Sequence, residues 1–122
     1  MKKLQKLMNN IAEWSNSEFG KGQRNPAIVY HLKKEVDELI EAIEKYNKSK
    51  GLTFEESRLS QAYTEYADCF MLLLDSAFHF GLSADDLIGI TISKLEVNKT
   101  REWGKPDEKG VVEHIKTNNQ TE

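Results

Sequence analysis

An all-α fold, four helices joined by short loops into a bundle, is what this sequence predicts, and three observations lead there. Apolar residues recur at three- and four-residue spacing through most of the chain. Two prolines, Pro26 and Pro106, are the only ones to interrupt it. No run alternates apolar and polar residues with the valine, isoleucine and threonine enrichment that a strand needs.

The first helix is expected from about Lys3 to Phe19, with Leu4, Leu7, Met8, Ile11 and Trp14 at helical spacing and Gly20 and Gly22 ending it. Asn25 followed by Pro26 reads as an N-cap with proline at the first helical position, and Val29, Leu32, Val36, Leu39, Ile40 and Ile43 carry the apolar stripe to about Lys48. A polar loop follows. Thr53 with Glu56 has the spacing of a capping box for the third helix, which ends near Gly81. Within it Phe70 to Leu74 is apolar nearly all round, which predicts burial on several sides and points to a partner subunit. Ser83 with Asp86 marks another capped start, and Leu87, Ile88, Thr91 and Leu95 give the fourth helix an inward face as far as about Glu102. From Trp103 the chain is rich in turn formers, Val111 to Ile115 forms a short docking segment, and 116–122 is a flexible polar tail.

At 122 residues the chain is expected to be one domain, 1–122, small enough for oligomerisation to add to its stability. A formal net charge of −3 supplies no basic field for a nucleic-acid polymer, so a nucleotide ligand is expected as a single unit held through metal. Cys69, alone and inside an apolar run, reads as a buried small hydrophobe in a reducing compartment. The longest apolar run, Cys69 to Leu74, is far short of a membrane span, and asparagines stand where a signal peptide would be apolar. A cytoplasmic location without membrane contact is therefore expected. No internal repeat is visible.

Two acidic pairs carry the chemistry: Glu35/Glu38 on the second helix and Glu65/Asp68 on the third. Residues three apart on a helix project from one side, so each pair can grip a cation. Glu35 and Glu38 alone resemble an ordinary solvated face interleaved with lysines. Glu65 and Asp68 differ, because they lie among Ala62, Tyr66, Ala67 and Phe70 in a segment that reads as core. Hard oxygen ligands select magnesium, or manganese in its place, and the absence of Glu-x-x-His pairs argues against a di-iron site. Lys94, Asn98 and Arg101 share one strip of the fourth helix and offer a point charge, a neutral donor and a planar fork, a set suited to polyphosphate.

In this order, Glu35-x-x-Glu38, Glu65-x-x-Asp68 and Lys94-x-x-x-Asn98-x-x-Arg101 resemble the MazG-like all-α nucleoside triphosphate pyrophosphohydrolases. The wider string of Phe19-Gly20, His31 to Glu35, Glu65 to Asp68 and Asn98 to Asp107 is most similar to the dATP/dGTP diphosphohydrolase-like branch. The resemblance implies a MazG-type fold and hydrolysis of a nucleoside triphosphate, a purine deoxynucleotide in this branch, to monophosphate and pyrophosphate. It implies magnesium on Glu35, Glu38, Glu65 and Asp68, with Glu38 and Glu35 as the catalytic pair and Glu38 accepting the proton of the attacking water. Lys94, Asn98 and Arg101 would bind substrate phosphate or sugar. Trp14, His31 and Trp103, with Phe19 and Tyr63, are the stacking candidates for the base. Arg24 and Asn25, beside the start of the second helix, are candidates for phosphate or base contact, Asn25 already being explained as an N-cap, and Asp75 is a further substrate-binding candidate whose structural explanation is pairing with a lysine or arginine of another helix. A homodimer or homotetramer is expected. The competing reading is a non-catalytic helical module for oligomerisation or partner binding, against which the intact set of carboxylates and cations stands.

Overall fold

The computed structural model describes residues 2–116. Four helices account for most of them: α1 (Lys2–Phe19), α2 (Ala27–Ser49), α3 (Glu55–His79) and α4 (Ala84–Thr100). No strand occurs among the described residues, and a lone antiparallel bridge pairs Trp103 with His114. The chain divides into two compact units, Met1–Leu87 and Ile88–Glu122. The tail expected at 116–122 lies, from 117 onward, outside the described residues. Among the described residues no helix is long and apolar enough to cross a membrane.

In the first unit α3 is the common partner, packing along α2 and against α1. The core forms where Met8 and Ile11 of α1 meet Leu74 of α3, with Leu4, Ala77, Phe78 and Leu87 packed around them. Small residues let the helices approach elsewhere: Ala12, Ala42 and Ala62 are all buried.

Helix ends follow local chemistry in three places as the sequence predicts. Gly20, at φ +96°, turns the chain out of α1, and its N–H donates to the Asn16 carbonyl at 3.0 Å. At α4 the Ser83 hydroxyl accepts from the Asp86 N–H at 3.0 Å while the Asp86 carboxylate accepts from the Ser83 N–H at 3.1 Å, so aspartate completes a reciprocal capping box. These bonds hold the Asp86 carboxyl below its usual range. The end of α3 is a Schellman turn, with Leu82 N–H bonded to the Ala77 carbonyl, Gly81 N–H bonded to that of Phe78, and Gly81 at φ +100°.

Two expected caps are corrected. Asn25 is not the N-cap of α2: Pro26 occupies that position without a side-chain cap, because the Asn25 amide is bonded to Ser76. Thr53 and Glu56 form no capping box, since α3 begins at Glu55 behind Phe54, and the Glu55 carboxylate instead accepts from the Gly51 N–H at 2.7 Å. At Asn25 a partner 51 residues away takes the side chain, whereas at α3 it is the neighbouring Glu55 that bonds the preceding loop.

The apolar stripes are only partly covered. On α1 Met8 and Ile11 are buried while Leu7 and Trp14 are exposed; on α2 Ile28 and Ala42 are buried while Val29, Val36 and Ile40 are exposed. Leu74 is buried but Phe70, Met71 and Leu73 are exposed, as are Tyr66 and Ala67 beside the second acidic pair. The expectation of a core segment around Glu65 and Asp68 is therefore corrected to a partly solvated one. Each helix carries a wider apolar arc than one neighbouring helix can cover.

In the second unit Thr91 and Leu95, expected to face inward, are exposed. Past Thr100 the chain folds back on itself. Ile115 N–H donates to the Glu102 carbonyl at 2.7 Å and Gly104 N–H to that of Glu113 at 2.8 Å. A Cβ at Gly104 would meet the Glu113 carbonyl oxygen at 3.3 Å, so glycine permits this close return. The Trp103 and His114 rings meet edge to face with centroids 5.8 Å apart.

Leu74→Ala is expected to cost about 2–5 kcal/mol of folding free energy, read as a lower urea midpoint, because Leu74 is fully buried at the α1–α3 contact.

Candidate active site

The two acidic pairs meet between α2 and α3. One carboxylate oxygen from each of Glu35, Glu38 and Glu65 lies within 4.8 Å of the others. Asp68 stands outside this triplet but near enough for its charge to act on Glu35 and Glu65. A side-chain hydrogen bond with Glu38 is the chief reason that the Glu35 carboxyl titrates above its usual range; burial and the charges of Glu38 and Asp68 add to it. His31 works in the opposite sense, its Nε2 lying 3.3 Å from Glu35 Oε1. Glu65 is also raised, first by burial and then by Glu38 and Asp68. The Cys69 thiol is pushed up by burial and by the same carboxylates, which keeps it protonated and unreactive.

Glu35 Oε2 and Glu65 Oε2 are buried without a hydrogen-bond partner among the described residues. Buried carboxylate oxygens left unpaired are costly, and a cation satisfies several at once. An all-oxygen donor set without histidine or thiolate suits magnesium or manganese, so these residues fit such an ion.

A cavity of about 560 Å³ adjoins this cluster, with Glu35 and Asp68 in its wall. Trp14, Phe19, Ile28 and Leu72 make most of the lining apolar, and Arg24, His31 and Asp75 supply the remaining polar groups. The sequence-predicted residues Trp14, Arg24, His31 and Asp75 are thus brought together around one space; Tyr63, another stacking candidate, is exposed and lines no part of it. Trp14 and Phe19 are fixed edge to face at 5.5 Å, and the Arg24 guanidinium lies 5.7 Å over the Phe19 ring.

Asp75 is 4% exposed and carries a network that sequence reading does not supply. Its Oδ1 accepts from the Ser15 hydroxyl at 2.8 Å and lies 3.1 Å from His79 Nδ1, and its Oδ2 lies 3.5 Å from Arg24 Nη2. Arg24 Nη2 also donates to Ser15 Oγ at 2.8 Å, and His79 Nε2 is 2.8 Å from Asn16 Oδ1. Neighbouring loop residues are bound to the same end of α3. Gln23 donates to the His79 carbonyl at 2.7 Å, and Asn25 exchanges hydrogen bonds with Ser76. The basic partner expected for Asp75 comes from the connecting loop instead of a helix. Ser15, Asn16 and His79 had no sequence signal beyond polarity on otherwise apolar helix faces.

Lys94, Asn98, Arg101 and Trp103 belong to the second unit. There the Asn98 carbonyl accepts from Trp103 Nε1 at 3.0 Å and from the Arg101 N–H at 3.2 Å, while Asn98 Oδ1 is buried without a hydrogen-bond partner among the described residues. Lys94 is exposed and Arg101 partly buried.

Comparison with known proteins adds an independent line. A family model described as dATP/dGTP pyrophosphohydrolase matches residues 53–121, more than half of the chain. That span contains Glu65, Asp68, Lys94, Asn98 and Arg101 and begins after Glu35 and Glu38. The Eaa protein of Salmonella phage P22 is 40% identical over 52 residues, a segment covering 43% of this chain and 16% of that relative. The chain thus spans about a sixth of the length of this curated relative. No solved structure matches.

Raised carboxyls in the folded state bind protons more tightly than in the unfolded chain. Their favourable contribution is complete below the ordinary carboxylate value of 4.5 and is lost as pH rises through the raised folded values. In EDTA, raising the pH from 4.5 to 7 is expected to lower the thermal midpoint of the wild type relative to Glu65→Gln or Glu35→Gln. Differential scanning fluorimetry across that window checks it, and parallel curves would contradict the assignment.

Proposed function

Because the chain belongs to the dATP/dGTP pyrophosphohydrolase family of MazG-like proteins, we propose that it hydrolyses a purine deoxynucleoside triphosphate between the α and β phosphates, releasing monophosphate and pyrophosphate. The observation that carries the reading is the Glu35/Glu38/Glu65 cluster, with its unpaired buried oxygens, set beside a largely apolar, aromatic-lined cavity. A phosphate-binding cation and a planar apolar group are the two ends of a nucleotide.

Glu35, Glu38, Glu65 and Asp68 would hold magnesium, which when bound neutralises phosphate charge and makes a coordinated water more acidic. Glu38 is the most solvated of the clustered glutamates and shares a hydrogen bond with Glu35. In the proposed mechanism Glu38 takes a proton from the attacking water as its oxygen bonds to the α phosphorus and the bond to the bridging oxygen breaks. Glu35, three residues before Glu38 on the same side of α2, is proposed as its catalytic partner, and His31 offsets part of the local negative charge. Trp14 and Phe19 supply apolar surface to the base. Lys94, Asn98 and Arg101 are proposed as polyphosphate ligands, and Trp103 as a further substrate contact, on their donor and ring chemistry and the family match.

Self-association into a homodimer or homotetramer is part of the proposal. Phe70, Met71 and Leu73 on α3 and Ile40 on α2 expose apolar side chains that a second copy would cover.

Pyrophosphate release measured over a panel of nucleoside triphosphates with magnesium tests the activity; orthophosphate with a nucleoside diphosphate as products would refute α–β cleavage. Glu38→Gln and Asp68→Asn are each expected to lower kcat by about 100-fold or more with an unchanged helical circular dichroism spectrum, whereas Lys94→Ala is expected to raise KM more than it lowers the thermal midpoint.

A further inference from the structure

We infer that Asp75, with Arg24 beside it, reads the base and selects guanine over adenine. The inference rests on the proposed nucleotide hydrolysis and deepens it. Asp75 lies seven residues beyond Asp68 on α3, two turns along the same face and about 10 Å at 1.5 Å per residue. Both side chains line the cavity. That separation is comparable to the span from the α phosphate to the far edge of a purine in a nucleoside monophosphate, so a nucleotide with its phosphates at the acidic cluster brings its base edge to Asp75.

The hydrogen-bonding capacity at this end of the cavity is uneven. Ser15 donates to Oδ1 of Asp75 at 2.8 Å, while His79 Nδ1, 3.1 Å from that oxygen, lies closer to the Asp75 backbone carbonyl at 2.8 Å. Among the described residues Oδ2 accepts one long, 3.5 Å hydrogen bond from Arg24 Nη2 and keeps lone-pair capacity for further donors. Arg24 Nε is buried without a hydrogen-bond partner among the described residues, a donor whose desolvation is uncompensated. The Phe19 ring under the guanidinium and the bond from Nη2 to Ser15 fix where that donor stands.

An open acceptor next to a buried donor sets the ligand's chemistry. Guanine alone among the common bases places two donors side by side, N1–H and the 2-amino group, next to the O6 acceptor. Asp75 Oδ2 accepts from the two donors and Arg24 donates to O6. Adenine presents the lone pair of N1 where guanine has N1–H, and nothing at C2. Against a buried carboxylate that exchange removes two hydrogen bonds and opposes two acceptors, and sites built to bond a ligand's N–H discriminate strongly against analogues that lack it.

The test compares kcat/KM for dGTP, dITP and dATP on the wild type and on Asp75→Asn. dITP keeps N1–H and O6 but lacks the 2-amino group. Expected for the wild type is dGTP above dITP above dATP, with dGTP at least tenfold over dATP, and a fall of at least tenfold in the dGTP-to-dATP ratio for Asp75→Asn. A ratio taken within one preparation does not depend on how much of the variant folds, and the wild-type series needs no variant. Equal kcat/KM for dGTP and dATP on the wild type would leave the proposed activity standing and overturn the guanine assignment, as would an unchanged ratio in Asp75→Asn. If no triphosphate is hydrolysed the proposed activity fails, and the Kd values of dGMP and dAMP for the wild type decide the base assignment: tighter dGMP supports it and equal values overturn it.

Discussion

One buried carboxylate holds the cavity end of the first unit in place. Asp75 is almost fully removed from solvent, and a charge there is tolerated only with partners from several directions. Ser15 reaches it from α1, Arg24 from the α1–α2 loop and His79 from the next turn of α3. Removing any one partner would leave the others around an under-satisfied charge, so three segments distant in sequence are held in one geometry. Gln23 and Asn25 bind the same loop to the end of α3, and Arg24 is carried into the cavity wall as a consequence.

The same helix treats its acidic residues in two opposite ways. At Asp75 the protein supplies the donors. Nearly three turns earlier, around Glu65, it supplies more carboxylates: Glu35, Glu38 and Glu65 crowd within 4.8 Å, Glu35 and Glu65 titrate high, and two buried oxygens stay unpaired. That imbalance fits the donor set of a cation site. The proposed activity places the phosphates at the acidic cluster and the base toward Asp75.

Much of this was legible in the residues. The helices appear where periodicity and glycine stops put them, and the reciprocal Ser83–Asp86 cap forms as its spacing implies. Ser83 and Asp86 lie within one turn of one segment, so their pairing needs no distant information. Asn25 and Thr53 had cap-like spacing too, but Ser76 lies 51 residues from Asn25 and Glu55 answers Gly51 in place of Glu56. At Asn25 the local rule fails because a distant group takes the same side chain. Apolar stripes told which residues favour burial but not how many are covered: Met8 and Leu74 are, while Trp14, Ile40 and Leu73 are not.

What the sequence by itself determined is the class of fold, the ordered set of carboxylates and cations, and the family, because each depends on residue type and on spacing within a single helix. What only the tertiary structure decided is which of those groups share a space. Glu35 and Glu65 become neighbours through the packing of α2 on α3, and Trp14, Arg24, His31 and Asp75 surround one cavity because a loop is bound to the far end of α3. The physical reason is that a carboxylate's partners are chosen by distance in space, and in this chain those distances are set by helix packing and, around Asp75, by a buried carboxylate held by partners from α1 and the α1–α2 loop.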